Sequence, residues 1–378
     1  MKQVKNVERI RDILFTLALT IEVLIVLMDK SDYIFPYPSQ VFRVTFLISL
    51  VVVVLSLSQY KKKELIILAG LLALSAVSYK ISGRNELLRF CMFGAACKNL
   101  DIIQKLKIYF GEIFSGSIII GILSVTGLYG KMFSPDAEGV QRLCLGMGDS
   151  NAFHCMVLML LVLFIYLYND RLKWYAYVIF MIMNIALYLC TDCSSGVLGV
   201  TLLVILAALF HYTKVGEKAI TYIAGISIFT AGILFSIWCA CNSKDAWWNK
   251  KLERFDRFLS GRIKNLYWGT ERHAGSIGSW KIFSQRDTEV YFDMGFVRLF
   301  YWYGWIPALI ICFLIIVLFY KAMKRKDKTI VPMLIVLSIY TVVEAHLVSV
   351  YIGRNFVLLI MAMYFLNYHE GMKRDEQQ

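Results

Sequence analysis

The sequence predicts an all-α, polytopic integral membrane protein. Three observations carry that prediction: the balance of apolar and charged residues, a succession of apolar runs of near-membrane length, and the sidedness of the basic residues between them. Of 378 residues, 58% are hydrophobic and 18% charged, where soluble domains hold about 45–50% apolar and about 25% charged residues. Nine cysteines scattered over so apolar a chain lack the density of a secreted disulfide scaffold, and 5 prolines with 24 glycines exclude a collagenous or disordered composition. The net charge of +13 is read as a record of orientation rather than of nucleic-acid binding, because cytoplasmic loops retain Lys and Arg.

A helix rising about 1.5 Å per residue needs roughly 20 mostly apolar residues to cross about 30 Å of hydrocarbon. Twelve segments approach this length. The first six cover about 13–28, 41–58, 65–79, 87–97, 109–129 and 151–168, and the last six about 174–190, 196–212, 219–239, 301–320, 329–345 and 355–368. The fourth is short and carries Arg89, which leaves eleven spans as the alternative count. The first follows Lys2, Lys5, Arg9 and Arg11 but ends on Asp29-Lys30-Ser31-Asp32 rather than on a small-residue cleavage site, so it reads as a retained span. With the N-terminus inside, the inner segments hold 21 of the 40 Lys and Arg residues, so both termini are expected in the cytoplasm. The chain reads as one membrane domain over 1–378, with a long extracytoplasmic loop at about 240–294 and a smaller one at about 130–150.

The long loop is where chemistry is expected. Leu252, Phe255 and Leu259 recur at helical spacing among charged neighbours, and Trp247 and Trp248 precede them as interfacial anchors. One reading is a loop helix resting on the bilayer with its charges in water. The other is that Arg254, Arg257 and Arg262 line the mouth of a cavity for an anionic lipid head group, since guanidinium forks match phosphate oxygens. Cys190 and Cys193 form a Cys-x-x-Cys without a second ligand pair, and no nucleotide or zinc-protease motif is present, so no cofactor and no metal site are expected.

The stretch Glu253-Arg254-Phe255-Asp256-Arg257-Phe258-Leu259-Ser260-Gly261-Arg262 resembles the "LSGR" element that bacterial polysaccharide polymerases of the O-antigen and capsule (Wzy) type carry in a large external loop. Val290 to Leu299 with Tyr303-Gly304-Trp305, and Gly148 to His154 at the start of the sixth segment, resemble further family elements. Cys193-Ser194-Ser195-Gly196 departs from the Ser-Arg-x-Gly of relatives by lacking the arginine. The resemblance covers the whole layout of spans and loops, although each motif is short.

That resemblance implies a fold related to the membrane-embedded C-type glycosyltransferases (GT-C) in a bacterial plasma membrane. The implied activity is metal-independent, inverting transfer of a growing glycan from undecaprenyl pyrophosphate to a hydroxyl of the next lipid-linked repeat unit. The implied partners are undecaprenyl-pyrophosphate-linked oligosaccharides, a chain-length regulator and a flippase, with no nucleic acid. Such a reaction needs arginines to hold the departing pyrophosphate and a group to take the acceptor's proton. Arg262 is the first choice for the pyrophosphate, with Asp293 and His154 as candidate bases. Arg298, Arg257, Arg254, Arg142, Asn151, Glu344 and Arg354 are expected around the substrate, with Glu344 and Arg354 equally able to form a structural pair. An O-antigen ligase, a flippase or transporter of lipid-linked glycans, and a non-catalytic scaffold are the competing readings.

Overall fold

The computed structural model describes residues 2–33, 35–136, 139–284, 290–345, 347–348 and 352–366. Its helices are α1 (Lys2–Lys30), α2 (Pro38–Ser56), α3 (Lys62–Ser82), α4 (Glu86–Ala96) and α5 (Ile102–Val125), followed by a hairpin of β1 (Phe133–Pro135) and β2 (Gln141–Leu143). Then come α6 (Ser150–Tyr168), α7 (Trp174–Thr191), α8 (Ser194–Tyr212) and α9 (Ala219–Asn242). The short α10 (Lys250–Phe258), α11 (Arg262–Asn265) and α12 (Gly295–Tyr303) lead into α13 (Trp305–Arg325), α14 (Ile330–Val343) and α15 (Ile352–Leu366).

The all-α membrane architecture expected from composition is what the chain adopts. Eight described helices are long and apolar enough to cross a bilayer. They include α3, α5, α6, α7, α8, α9 and α13, and the segment Gln40–Gln59 that contains most of α2. Of the other expected spans, α4, α14 and α15 are 11, 14 and 15 residues long, and α1 has 29 residues but a charged first half with Glu22 beyond it. Residues 367–368 of the twelfth expected span, and the inner residues Lys373 and Arg374, lie outside the described residues. So does Arg286 of the long loop.

Contacts at the helix ends sort the chain onto two faces. On the first, Arg11 donates to the Lys98 carbonyl, and the Lys98 ammonium reaches Glu64 and the Leu366 carbonyl. The Lys105 ammonium pairs with Asp12 at 2.7 Å. On the second, Asp32 accepts from the Lys131 amide, and Arg142 joins the hairpin to Asp192 between α7 and α8. The described residues 243–284 and 290–294 cap this second face.

The interior explains why the packing holds without a hydrophobic drive inside lipid. Phe15, Tyr109, Leu158, Phe229, Phe319 and Phe356 are buried at the centre, whereas Leu189 and Ile66 are 79% and 72% exposed. In water those outward faces would be a large aggregation surface, but against hydrocarbon they cost nothing. In α3, the described buried residues are Ser75, Ser78 and Ser82, small side chains that let helices approach closely.

Two local features differ from the sequence expectation. The β1–β2 hairpin, with Ser134 opposite Arg142, falls in what reads as a plain loop, because three-residue strands leave no periodicity to detect. The span expected from 301 begins instead at Trp305. The chain turns at Gly304 (φ +84), where a Cβ would meet the Phe283 backbone at 2.5 Å, and α12 lies on the bundle as a separate helix.

Candidate functional site

The local chain path places Arg262. Asn249 caps α10 by accepting from the Lys251 and Leu252 amides. After α10 the chain reverses through Ser260 (φ +56) and Gly261 (φ +76), a left-handed pair that glycine eases. Asp256, only 1% exposed, then accepts from the amides of Ile263 at 2.6 Å and Lys264 at 3.1 Å. Its carboxylate thereby fixes the first turn of α11, with Arg262 at the start.

From there Arg262 reaches the C-terminal end of α14. Its Nε donates to the Val343 carbonyl at 3.1 Å and its Nη2 to Glu344 Oε1 at 2.9 Å, and Asp293 Oδ2 lies 3.8 Å from Nε. A cation at the negative end of a helix dipole with a carboxylate beside it is doubly favoured. Ser195, at the start of α8, donates to the same Glu344 oxygen at 3.3 Å. Gly295 permits the closeness of α12 to this centre, since a Cβ there would lie 2.5 Å from the Glu344 carbonyl oxygen.

Burial alters the chemistry of Glu344. It stands just beyond the end of α14, and its carboxyl pKa is pushed up to about 7, chiefly by burial. The neighbouring Asp293 charge acts in the same direction, while Arg262 and the Ser195 hydrogen bond oppose it. A carboxyl titrating near neutrality is suited to accept and return a proton.

Arg298, on α12, adds a second guanidinium. It is 8% exposed, its Nε has no hydrogen-bond partner among the described residues, and its charge lies near the rings of Trp302, Tyr291 and Phe292 at 5.1, 5.6 and 5.9 Å. Asp293 and Glu344 both act on it electrostatically. Arg262, Glu344, Asp293, Arg298 and Ser195 therefore form one cluster on the capped face. Among the described residues, no group of three or more His, Cys, Asp and Glu is placed to hold a metal ion.

The remaining expected residues fall elsewhere. Arg142, held by Asp136 at 2.8 Å and Asp192 at 2.7 Å, lines a cavity of about 400 Å³ with Asn151, Ser134, Asp149 and Ser150. Its walls share no residue with the arginine cluster, although Asp149 in its lining and Glu344 both act on the buried Cys193 thiol. Arg254 and Arg257 are exposed on the outside of α10, Arg257 paired with Glu253, and do not converge with Arg262. The face of α10 that turns inward carries Leu252 and Asp256, while Phe255 remains 41% exposed. The helix is amphipathic as expected, but its buried centre is a carboxylate, because that group caps α11.

Two further expected residues have other surroundings than the sequence suggests. His154 is fully buried, with Nδ1 3.0 Å from the Thr191 hydroxyl and Nε2 3.2 Å from Asn184 Oδ1. Its ring packs where a Cβ on Gly196 would stand. A base must come within hydrogen-bond reach of the proton it takes, and His154 is enclosed by Thr191, Asn184 and Gly196. Nor do Glu344 and Arg354 pair with each other. Glu344 bonds Arg262, whereas Arg354 lies over the Phe90 ring at 4.4 Å and donates to the Val348 carbonyl.

Asp256 and Ser195 are the two site residues that sequence reasoning missed as individuals. Asp256 sits inside the LSGR-like stretch, and Ser195 inside the stretch set beside Ser-Arg-x-Gly, so the motifs held the signal but not the roles. Comparison with protein-family models, curated proteins and solved structures gives no match to this chain.

Proposed function

We propose that this protein is a polysaccharide polymerase of the Wzy type, an inverting glycosyltransferase with twelve membrane passes and both termini in the cytoplasm. It transfers a growing glycan from undecaprenyl pyrophosphate to the hydroxyl of an incoming lipid-linked repeat unit. The observation that carries this reading is the hydrogen-bonded pair of Arg262, from the LSGR-like stretch, with Glu344 on the capped face.

In this reading the acceptor hydroxyl attacks the anomeric carbon as the bond to the pyrophosphate oxygen breaks, and the bond's electron pair leaves with the pyrophosphate. Glu344 takes the acceptor's proton. Arg298 and the outer edge of Arg262 hold the charge that develops on the leaving group, which a partly dehydrated site does more effectively than water. Asp293 tunes the pair rather than acting as base, since its side chain is 63% exposed. The polar cavity around Arg142 and Asn151 receives sugar hydroxyls. Glycans are rich in such groups and are bound by a few well-placed polar side chains.

The test is purified protein incubated with lipid-linked repeat unit, with products resolved on a gel. Wild type should give a ladder of lengths, and Arg262→Ala should leave the single unit. A folded wild type that never lengthens the chain refutes the reading. In the native host, full-length glycan accumulating on the carrier in a deletion strain would instead mark a ligase.

A further inference from the structure

A second feature lies apart from the arginine cluster and does not depend on the glycan-transfer reading. Between α3 and α4 on one side and α12, α13 and α15 on the other runs an apolar cleft of about 330 Å³. Leu68, Leu71, Phe90, Ile311, Leu314 and Leu358 are among its walls, and it extends from Tyr60 and Leu366 near the first face to Val348 and Tyr303 near the second. From Arg354 to Leu366, α15 alone spans about 18 Å at about 1.5 Å per residue.

The end toward the second face carries a guanidinium with no ion pair among the described residues. Arg354 lines the cleft, is 7% exposed, and its Nε and Nη2 have no hydrogen-bond partner among the described residues. It repels the nearby Arg89, which is itself buried and paired with Glu22. Arg84 joins them around the Tyr303 ring and pairs with Glu86. Arg84 and Arg89 thus have carboxylate partners, whereas Arg354 has no ion pair among the described residues, in a low-dielectric place where a buried cation is expected to have a counter-charge.

We infer that the cleft binds an acidic phospholipid, one hydrocarbon tail lying along α15 and the phosphate bonded by the free edge of Arg354. The wall chemistry suits a tail, the unpaired Nε and Nη2 suit phosphate oxygens, and the anion supplies the missing charge. A free phosphate ion would satisfy the arginine but leave the apolar cleft unfilled.

The experiment is native mass spectrometry of the detergent-solubilised protein with phosphatidylglycerol or phosphatidylcholine. Wild type should retain phosphatidylglycerol about tenfold or more over phosphatidylcholine, because the choline of the latter cancels the charge its phosphate brings to Arg354, and excess inorganic phosphate should not displace it. Arg354→Gln should bring the two lipids within about twofold of each other. Gly94→Leu, at a wall position where a Cβ meets only Leu358 at 3.6 Å, should lower retention of both. Equal retention of the two lipids by wild type, or displacement by inorganic phosphate, overturns the inference. So does an Arg354→Gln protein that holds phosphatidylglycerol as wild type does. The wild-type comparison decides the matter even if Arg354→Gln does not fold.

Discussion

Glu344 should make the stability of the fold fall as pH rises through neutrality, against the usual behaviour of acidic residues. Its carboxyl titrates near an ordinary 4.5 in the unfolded chain and near 7 in the fold. Between those values the folded state binds more protons than the unfolded one, so stability declines with rising pH. The contribution is fully present below about pH 4.5 and lost as pH passes through 7. At 1.36 kcal/mol per unit, the gap corresponds to about 3 kcal/mol. Glu344→Gln abolishes this titration while keeping an acceptor for Arg262 and Ser195. The assay is denaturant unfolding in detergent micelles at intervals from pH 5 to 8, followed by tryptophan fluorescence, for wild type and Glu344→Gln. Other groups titrate in both proteins, so the difference between the two curves is the readout. Wild type should lose about 2.5 kcal/mol relative to the variant across the range, the rest of the gap falling below pH 5. Parallel curves, or a wild type that gains stability relative to the variant, would refute the claim that burial outweighs the Arg262 pair.

Three other outcomes follow from the same geometry. Arg262→Lys should abolish chain lengthening in the gel assay, because an ammonium cannot bond the Val343 carbonyl and Glu344 in a fixed fork; Arg254→Lys and Arg257→Lys, on exposed positions, should leave the ladder unchanged. Asp256→Ala should lower unfolding free energy by about 2–4 kcal/mol, since the buried Ile263 amide and the part-buried Lys264 amide lose their acceptor, and Asp256→Asn, retaining one acceptor, by less; an unaltered denaturation midpoint would contradict the assigned role. Gly196→Ala should cost about 1–3 kcal/mol by overpacking, because its Cβ would stand 2.5 Å from the His154 ring, and thermal unfolding without change would show that the ring can move aside.

Composition and the succession of apolar runs determined the class of this protein, because crossing hydrocarbon demands long apolar helices whatever their arrangement. The same reading found the capping segment after α9 and singled out Arg262. It could not decide which of the ionisable residues would meet. Arg262 and Glu344 are 82 residues apart, and Ser195 and Glu344 are 149 apart; no local pattern encodes such distances. Residue type alone made His154 as good a base as any carboxylate, and only packing against Gly196, Thr191 and Asn184 enclosed it. Asp256 looked like one more charge on a solvated helix until the reversal at Ser260 and Gly261 brought two amides onto it. Hydrophobicity is a property of segments and survives in one dimension. Pairing, enclosure and the resulting proton affinities are properties of neighbourhoods, which come into being when distant helix ends are brought to the same face.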